Sequence, residues 1–275
     1  PEKIVSGTTQ ITKSPDRLLI AELTASFLEK SGLLRNGATM QAGAGGTSLA
    51  IAVFVHQMLK KKGWKLSFGF GGSTKYMVDM LEEGQMGAIL DAQAFDLDSV
   101  KSIEKNLNHI PYPVFNAYNY HSKGNLTTMM DIMILGATEI DTNFNGNVVT
   151  HSDGLLLHGI GGWQNCLHAR NVIIPVPLFR DRIPVIVDRV TTLCGPGELI
   201  DVIITERGIA INPRREDLIE AVRGKGLPLV TIEELKETAE KICGKPEKAA
   251  FDDRVVAAIK WVDGTVIDAV RKVKR

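Results

Sequence analysis

The sequence predicts an α/β protein built on an open, mostly parallel, Rossmann-like sheet with flanking helices, and three observations carry that prediction. Between residues 38 and 83 a short apolar run feeds a glycine cluster, and the cluster feeds a helical pattern, twice in succession. Further on, strand patterns keep alternating with helical ones of roughly 10–15 residues, the signature of βαβ units. Late in the chain, Asp201-Val202-Ile203-Ile204-Thr205 is apolar without alternation, as a strand covered on both faces must be.

Taken in order, the first thirteen residues are of mixed polarity and lack an initiating Met. Ser14-Pro15-Asp16 opens a helix, with Ser14 as N-cap and Pro15 where a missing N–H costs nothing. Leu19, Ile20, Leu23, Phe27 and Leu28 keep helical spacing until Gly32 stops it. Ala38–Ala42 is a strand, Gly43 to Ser48 a turn, and a helix runs from there to about Lys62. Lys65–Phe68 is the next strand, Gly69 to Thr74 the next turn, and the following helix reaches Glu83 before Gly84. A third strand over Met86–Leu90 leads to a third helix over Asp96–Asn106. Strands follow over 131–135, 172–176, 185–190 and 201–205, with helices over 214–222 and 231–242, the last opened by a capping box of Thr231 with Glu234. Trp261–Lys274 is basic, and its pattern does not choose between helix and strand. No linker or change of composition divides the chain, so residues 1–275 are expected to form a single α/β domain.

Charge and composition exclude several classes of function. Lys and Arg number 32 against 32 Asp and Glu, so the chain lacks the basic excess that nucleic-acid binders use to displace counterions. The longest apolar stretch, Leu49–Val55, ends at His56 and falls far short of the ~20 residues a bilayer needs, so no membrane partner is expected. Cys166, Cys194 and Cys243 are an odd number without a C-x-x-C pair, which argues against a disulfide framework and for a reducing, cytoplasmic location. Six histidines show no i, i+4 pairing, so no metal is predicted.

Glycine, at 26 residues, exceeds the average share of ~7% and gathers in clusters. A glycine turn between a strand and a helix offers backbone N–H groups and a positive dipole end to an anion, and permits close approach. The common nucleotide motifs nevertheless fail. Gly43-Ala44-Gly45 begins like G-x-G-x-x-G, but Ser48 stands at the sixth position, and no G-x-x-x-x-G-K-[ST] occurs. A third cluster combines His151-Ser152-Asp153-Gly154 with Gly159-Ile160-Gly161-Gly162. Neighbouring His, Ser and Asp cannot form a triad locally, because successive side chains diverge, so a nucleophilic hydrolase is not implied.

Leu33–Ala50, the run Glu139-Ile-Asp-Thr-Asn-Phe-Asn-Gly-Asn-Val-Val-Thr-His-Ser-Asp-Gly154, the 159–162 turn and Asp201-Val-Ile-Ile-Thr-Glu-Arg-Gly208 together resemble the coenzyme A transferase superfamily. Within it the chain is most similar to the citrate lyase alpha subunit family, the citrate CoA-transferase component. The likeness runs from Gly7 to Asp268. It matches the C-terminal half of that subunit, which accounts for the missing start.

The resemblance implies a CoA-type thioester, on a carrier-protein prosthetic group or acetyl-CoA, on which citrate replaces acetate. It implies as partners the N-terminal half of the same subunit, an acyl carrier protein, a lyase beta subunit and an oligomeric assembly. Relatives that form a glutamyl-CoA thioester carry their Glu at a position that counts back from Gly84 to Gly71, and a glycine cannot be a nucleophile. No catalytic residue is therefore assigned, and exchange through a mixed anhydride is implied. Such a route needs oxyanion donors, each worth roughly 3 kcal/mol. Gly43, Gly45, Gly46, Gly71, Gly72, Gly159, Gly161 and Gly162 are the candidates for these donors and for thioester contacts. Lys75, His168 and Arg170 are the candidate citrate clamps, with Ser152 and Asp153 as orienting groups or turn formers. A non-catalytic assembly domain of the lyase complex, or a CoA-transferase or hydrolase for another small carboxylate, is the alternative.

Overall fold

The computed structural model describes residues 9–121, 125–246 and 249–274. Residues 1–8, with the Gly7 start of the matched stretch, lie outside the described residues. Pro15 begins α1 (Pro15–Lys30), with Ser14 as N-cap and the left-handed Gly32 just beyond its end. Two β-α units follow: β1 (Thr39–Ala42) with α2 (Gly46–Lys62), and β2 (Phe68–Ser73) with α3 (Lys75–Glu82). Next come β3 (Ile89–Ala94), α4 (Leu97–Lys105), β4 (His109–Pro111), α5 (Val114–Tyr118) and β5 (Ile132–Ile134). Short strands β6 (Glu139–Asp141) and β7 (Gly146–Asn147) precede α6 (Trp163–Cys166) and β8 (Val172–Pro175). After β9 (Phe179–Arg180), β10 (Ile183–Pro184) and β11 (Ile186–Val187), the chain forms β12 (Val202–Thr205), β13 (Gly208–Ile211), α7 (Glu216–Val222) and α8 (Ile232–Cys243). A hairpin of β14 (Phe251–Lys260) and β15 (Val266–Val273) completes the described chain.

Eight strands form one sheet in the order β13-β12-β8-β5-β1-β2-β3-β4, parallel throughout except at β13. The expected α/β class is correct. Helices α1, α2, α3 and α7 bury Ile20, Leu28, Ile51, Met77 and Leu218 against one face. On the other face α6, α8 and the hairpin add Cys166, Leu235 and Ile259 to a core that includes Phe70, Met133 and Ile174. A β6-β7-β11 sheet also belongs to this side, through Ile140 and Ile186.

Three sequence readings need correction, and a fourth left open is decided. Gly69, Gly71 and Gly72 are not a turn, because β2 runs through them and bulges between Gly71 and Gly72 against β3. The third strand correspondingly begins at Ile89 and not at Met86. Residues 185–190 contribute only the two-residue β11, to the small sheet. The undecided 261–274 segment is mostly β15, turning back on β14 through Asp263-Gly264.

Candidate active site

From β1 the chain proceeds outward to β2, β3 and β4, then returns to the other side of β1 for β5, β8 and β12. Strand order therefore reverses between β1 and β5, and in open α/β sheets the crevice outside the carboxyl ends at such a reversal is where ligands bind. Gly43 to Gly46 leave the sheet at the end of β1, and Gly136 leaves it at the end of β5. The loop before α6 hangs over this edge: Trp163 Nε1 donates to Gly136 O at 2.8 Å, and Gly162 packs against Tyr118. A cavity of about 430 Å³ opens here, lined by Gly136, Thr138, His151, His158, Trp163 and Arg180 among others.

Most glycines at this edge have a local reason to be glycine. A Cβ on Gly46 would meet Gln10 O at 2.9 Å and Thr12 N at 3.0 Å, and one on Gly72 would lie inside the Phe95 ring. A Cβ on Gly162 would lie 3.0 Å from the Tyr118 ring, while Gly71 and Gly161 have φ of +103° and +60°. Among the described residues, only Gly43, Gly45, Gly136 and Gly159 have neither a left-handed backbone nor a neighbour that a Cβ would strike. Gly43 and Gly45 follow β1, Gly136 follows β5 and lines the cavity above, and Gly159, in the connection before α6, lines a neighbouring cavity with Leu156, Ile160, Ile259 and Val270. Neither backbone conformation nor packing requires them, so the space they leave is open to a ligand.

The carboxylates beside the crevice are committed to structure. Glu139 is buried and accepts from Asn147 Nδ2 at 2.7 Å, Thr191 N at 2.7 Å, Thr191 Oγ1 at 3.0 Å and Ser152 Oγ. Asp141 accepts from the backbone N–H groups of Asn143 and Asn145 at 2.9 and 3.0 Å. The Glu139–Gly154 run is thus a loop scaffold knotted around two carboxylates. Asp91 stands opposite Gly71 in register, but it too is buried, accepting from Ser73 Oγ at 2.8 Å and Gln93 N at 2.8 Å and lying 3.2 Å from His109 Nε2. Burial pushes the Cys166 thiol up to about 12 and the Cys194 thiol up to about 11, so neither is a nucleophile near neutrality.

A family model for "Citrate lyase, alpha subunit (CitF)" matches residues 1–273. The chain belongs to the citrate lyase alpha subunit family. It is 42% identical to the citrate lyase alpha chain of Klebsiella pneumoniae over 275 residues, all of this chain and 54% of that one. The Haemophilus influenzae alpha chain is 41% identical over the same 275 residues, 55% of its length. A solved structure described as an alpha subunit of citrate lyase from Streptococcus mutans in complex with citrate superposes with a TM-score of 0.96 at 42% identity. That match covers all of this chain and 54% of the other. RipA from Yersinia pestis, at 17% identity and a TM-score of 0.61 over 87% of this chain and 56% of its own, shares the fold. The chain spans about half the length of the citrate lyase relatives it matches.

Against this family background the residues expected from sequence divide into two groups. Gly43, Gly45, Gly46, Gly71, Gly72, Gly159, Gly161 and Gly162 are brought to the carboxyl edge, Gly71 and Gly72 within a strand and the rest in turns. Lys75 reaches the same edge at the start of α3, but its ammonium is 2.6 Å from Asp79 on its own helix. Arg170 does not come near. It pairs at 2.9 Å with Asp131, which precedes β5 at the amino ends of the strands and also holds Arg35 and the Thr39 N–H. His168 packs its ring 4.9 Å from Tyr120 and 5.7 Å from Trp261, and burial lowers its pKa. Ser152 is spent on Glu139, and Asp153 closes a turn by accepting from Leu155 N at 2.9 Å. Sequence reasoning missed Gly136 and Arg180, single residues in no cluster. Only their positions after β5 and β8 could have marked them. Among the described residues no group of three or more His, Cys, Asp or Glu could hold a metal ion, and no helix is long and apolar enough to cross a membrane.

Proposed function

We propose that this chain supplies the thioester-binding part of a citrate CoA-transferase, which replaces acetate by citrate on the CoA-type prosthetic group of an acyl carrier protein. The observation that carries this reading is the set of four open glycines around the β1/β5 crevice, which leaves room for a narrow chain such as pantetheine. The relative described with bound citrate supports the acid substrate. The N-terminal half of a subunit about twice this length, a lyase beta subunit and an oligomeric assembly are the partners this function calls for.

The exchange proceeds in two acyl transfers. A citrate carboxylate oxygen attacks the acetyl thioester carbon, the C–S bond breaks, and thiolate leaves a mixed citryl–acetyl anhydride. Thiolate then attacks the citryl carbonyl and expels acetate. No enzyme carboxylate is needed, in keeping with Gly71 in β2 and with the saturated hydrogen bonding of Glu139 and Asp91. What the protein must supply is position and oxyanion donors, and the first N–H groups of α2, which have no acceptor within their helix, open onto the same turn.

Gly136→Val and Gly159→Val test this directly, since neither site has a left-handed φ and nothing lies within 4 Å of an added Cβ. Acetyl transfer to citrate is expected to fall at least tenfold with folding preserved. Unchanged transfer kinetics in both variants would remove the crevice from the function.

A further inference from the structure

Arg180 is half-buried at the carboxyl edge, five residues past the end of β8. Its Nη2 donates to Ala137 O at 2.7 Å and its Nη1 to Thr138 O at 3.4 Å, both on the segment leaving β5. A guanidinium has five N–H donors in a fixed fork, so the two carbonyls leave donors over. No carboxylate lies within ion-pair distance of it among the described residues, and it is the only half-buried arginine there of which that is true. Arg215, the other half-buried arginine, is sandwiched by Asp201 and Asp217 at 2.9 and 2.7 Å. A cation drawn out of water without a counter-charge is costly, and proteins keep one where an anion completes it.

Three features reinforce this. Burial presses on the Arg180 charge, and among the described residues no carboxylate within ion-pair distance offsets it. Arg180 is carried on the β9–β10 hairpin, whose two turn residues, Asp181 and Arg182, are both left-handed at φ 45° and 66° without being glycine. A two-residue hairpin turn of this kind requires a left-handed backbone at both positions, and the hairpin fixes where Arg180 stands. Finally, Arg180 lines the cavity of about 430 Å³ that Gly136 opens, together with His151 and His158.

We propose that Arg180 grips a carboxylate of the free polycarboxylic acid in the β1/β5 crevice and so sets the acid specificity of the site. The assignment rests on the transferase reading for the identity of the acid. The fork geometry suits bidentate carboxylate capture, and a polycarboxylate presents one carboxylate to it while another reacts, which a monocarboxylate cannot do.

The test uses the intact subunit and measures citrate binding by isothermal titration calorimetry alongside transfer kinetics. Arg180→Gln is expected to weaken citrate binding and raise the citrate KM more than tenfold, leaving the KM for the acetyl donor and the affinity for acetate much less changed. Arg180→Lys is expected to fall between, and Arg170→Gln to leave the citrate KM alone. An unaltered citrate KM in folded Arg180→Gln would overturn the proposal, as would equal losses for citrate and acetyl donor. Should Arg180→Gln not fold, Arg180→Lys carries the same comparison. Citrate binding that vanishes in Arg180→Gln while the parent shows no transfer would uphold the clamp and overturn the transferase reading.

Discussion

Gly72 and Gly159 sit in similar sequence contexts and serve opposite purposes. A methyl on Gly72 would enter the Phe95 ring, so Gly72→Ala is expected to cost about 2–3 kcal/mol in thermal or urea unfolding. Gly159→Ala meets nothing and should leave the melting curve nearly unchanged. The sequence displays both as members of glycine clusters, because what separates them is a neighbour twenty-three positions on in one case and empty space in the other. The cations show the same limit. Lys75, His168 and Arg170 are close to glycine clusters along the chain, yet Arg170 is bound at the opposite sheet edge, while Arg180 reaches the crevice from β9. Cysteine chemistry is the third test. With the Cys166 and Cys194 thiols pushed up to about 12 and about 11, alkylation of the native protein near pH 7.5, read by mass spectrometry, should label Cys243 alone.

Helices were legible because their ends are written locally. Thr231 accepts from the Glu234 N–H at 3.1 Å while Glu234 Oε2 accepts from the Thr231 N–H at 2.7 Å, and Thr231→Ala should cost about 1 kcal/mol in unfolding. The β14–β15 hairpin was illegible for a physical reason: its pairing slips at three points and most of β14 is open to solvent, so no period of two survives in the side chains. β2 was displaced because glycines argue against a strand interior, yet Met77, Met86 and Phe95 fill the space that side chains would have occupied. At the amino edge, Asp131 ties β1 to β5. Burial alone would raise its pKa, but the Thr39 N–H, then Arg170 and Arg35, hold it below the ordinary value. A depressed carboxyl contributes stability that is present above its unfolded pKa and is lost as pH falls through the folded one. Asp131→Ala should therefore destabilise by about 2 kcal/mol at pH 7, with the gap to the parent closing below about pH 4.

The chain matches about half of each citrate lyase relative, and the described residues include exposed apolar groups. Leu155 and Leu156 are 55% and 52% exposed, and Val255, Val256 and Val266 on the hairpin 51%, 51% and 61%. Acetyl transfer by this chain alone is accordingly expected to be weak, and to recover when the remainder of the subunit is supplied. Fold class and family were readable end to end, because βαβ rhythm and the matched runs are properties of contiguous sequence. The site was readable only as far as its glycine turns, since the crevice is made by strand order, which joins β1 to β5 across ninety residues. A crystal structure of the intact subunit with citrate and a CoA thioester tests the account most directly. The thioester is predicted against Gly43, Gly45, Gly136 and Gly159, with a citrate carboxylate on Arg180. Ligand bound instead at the amino edge beside Asp131 and Arg170, or away from the β1/β5 crevice altogether, would contradict it.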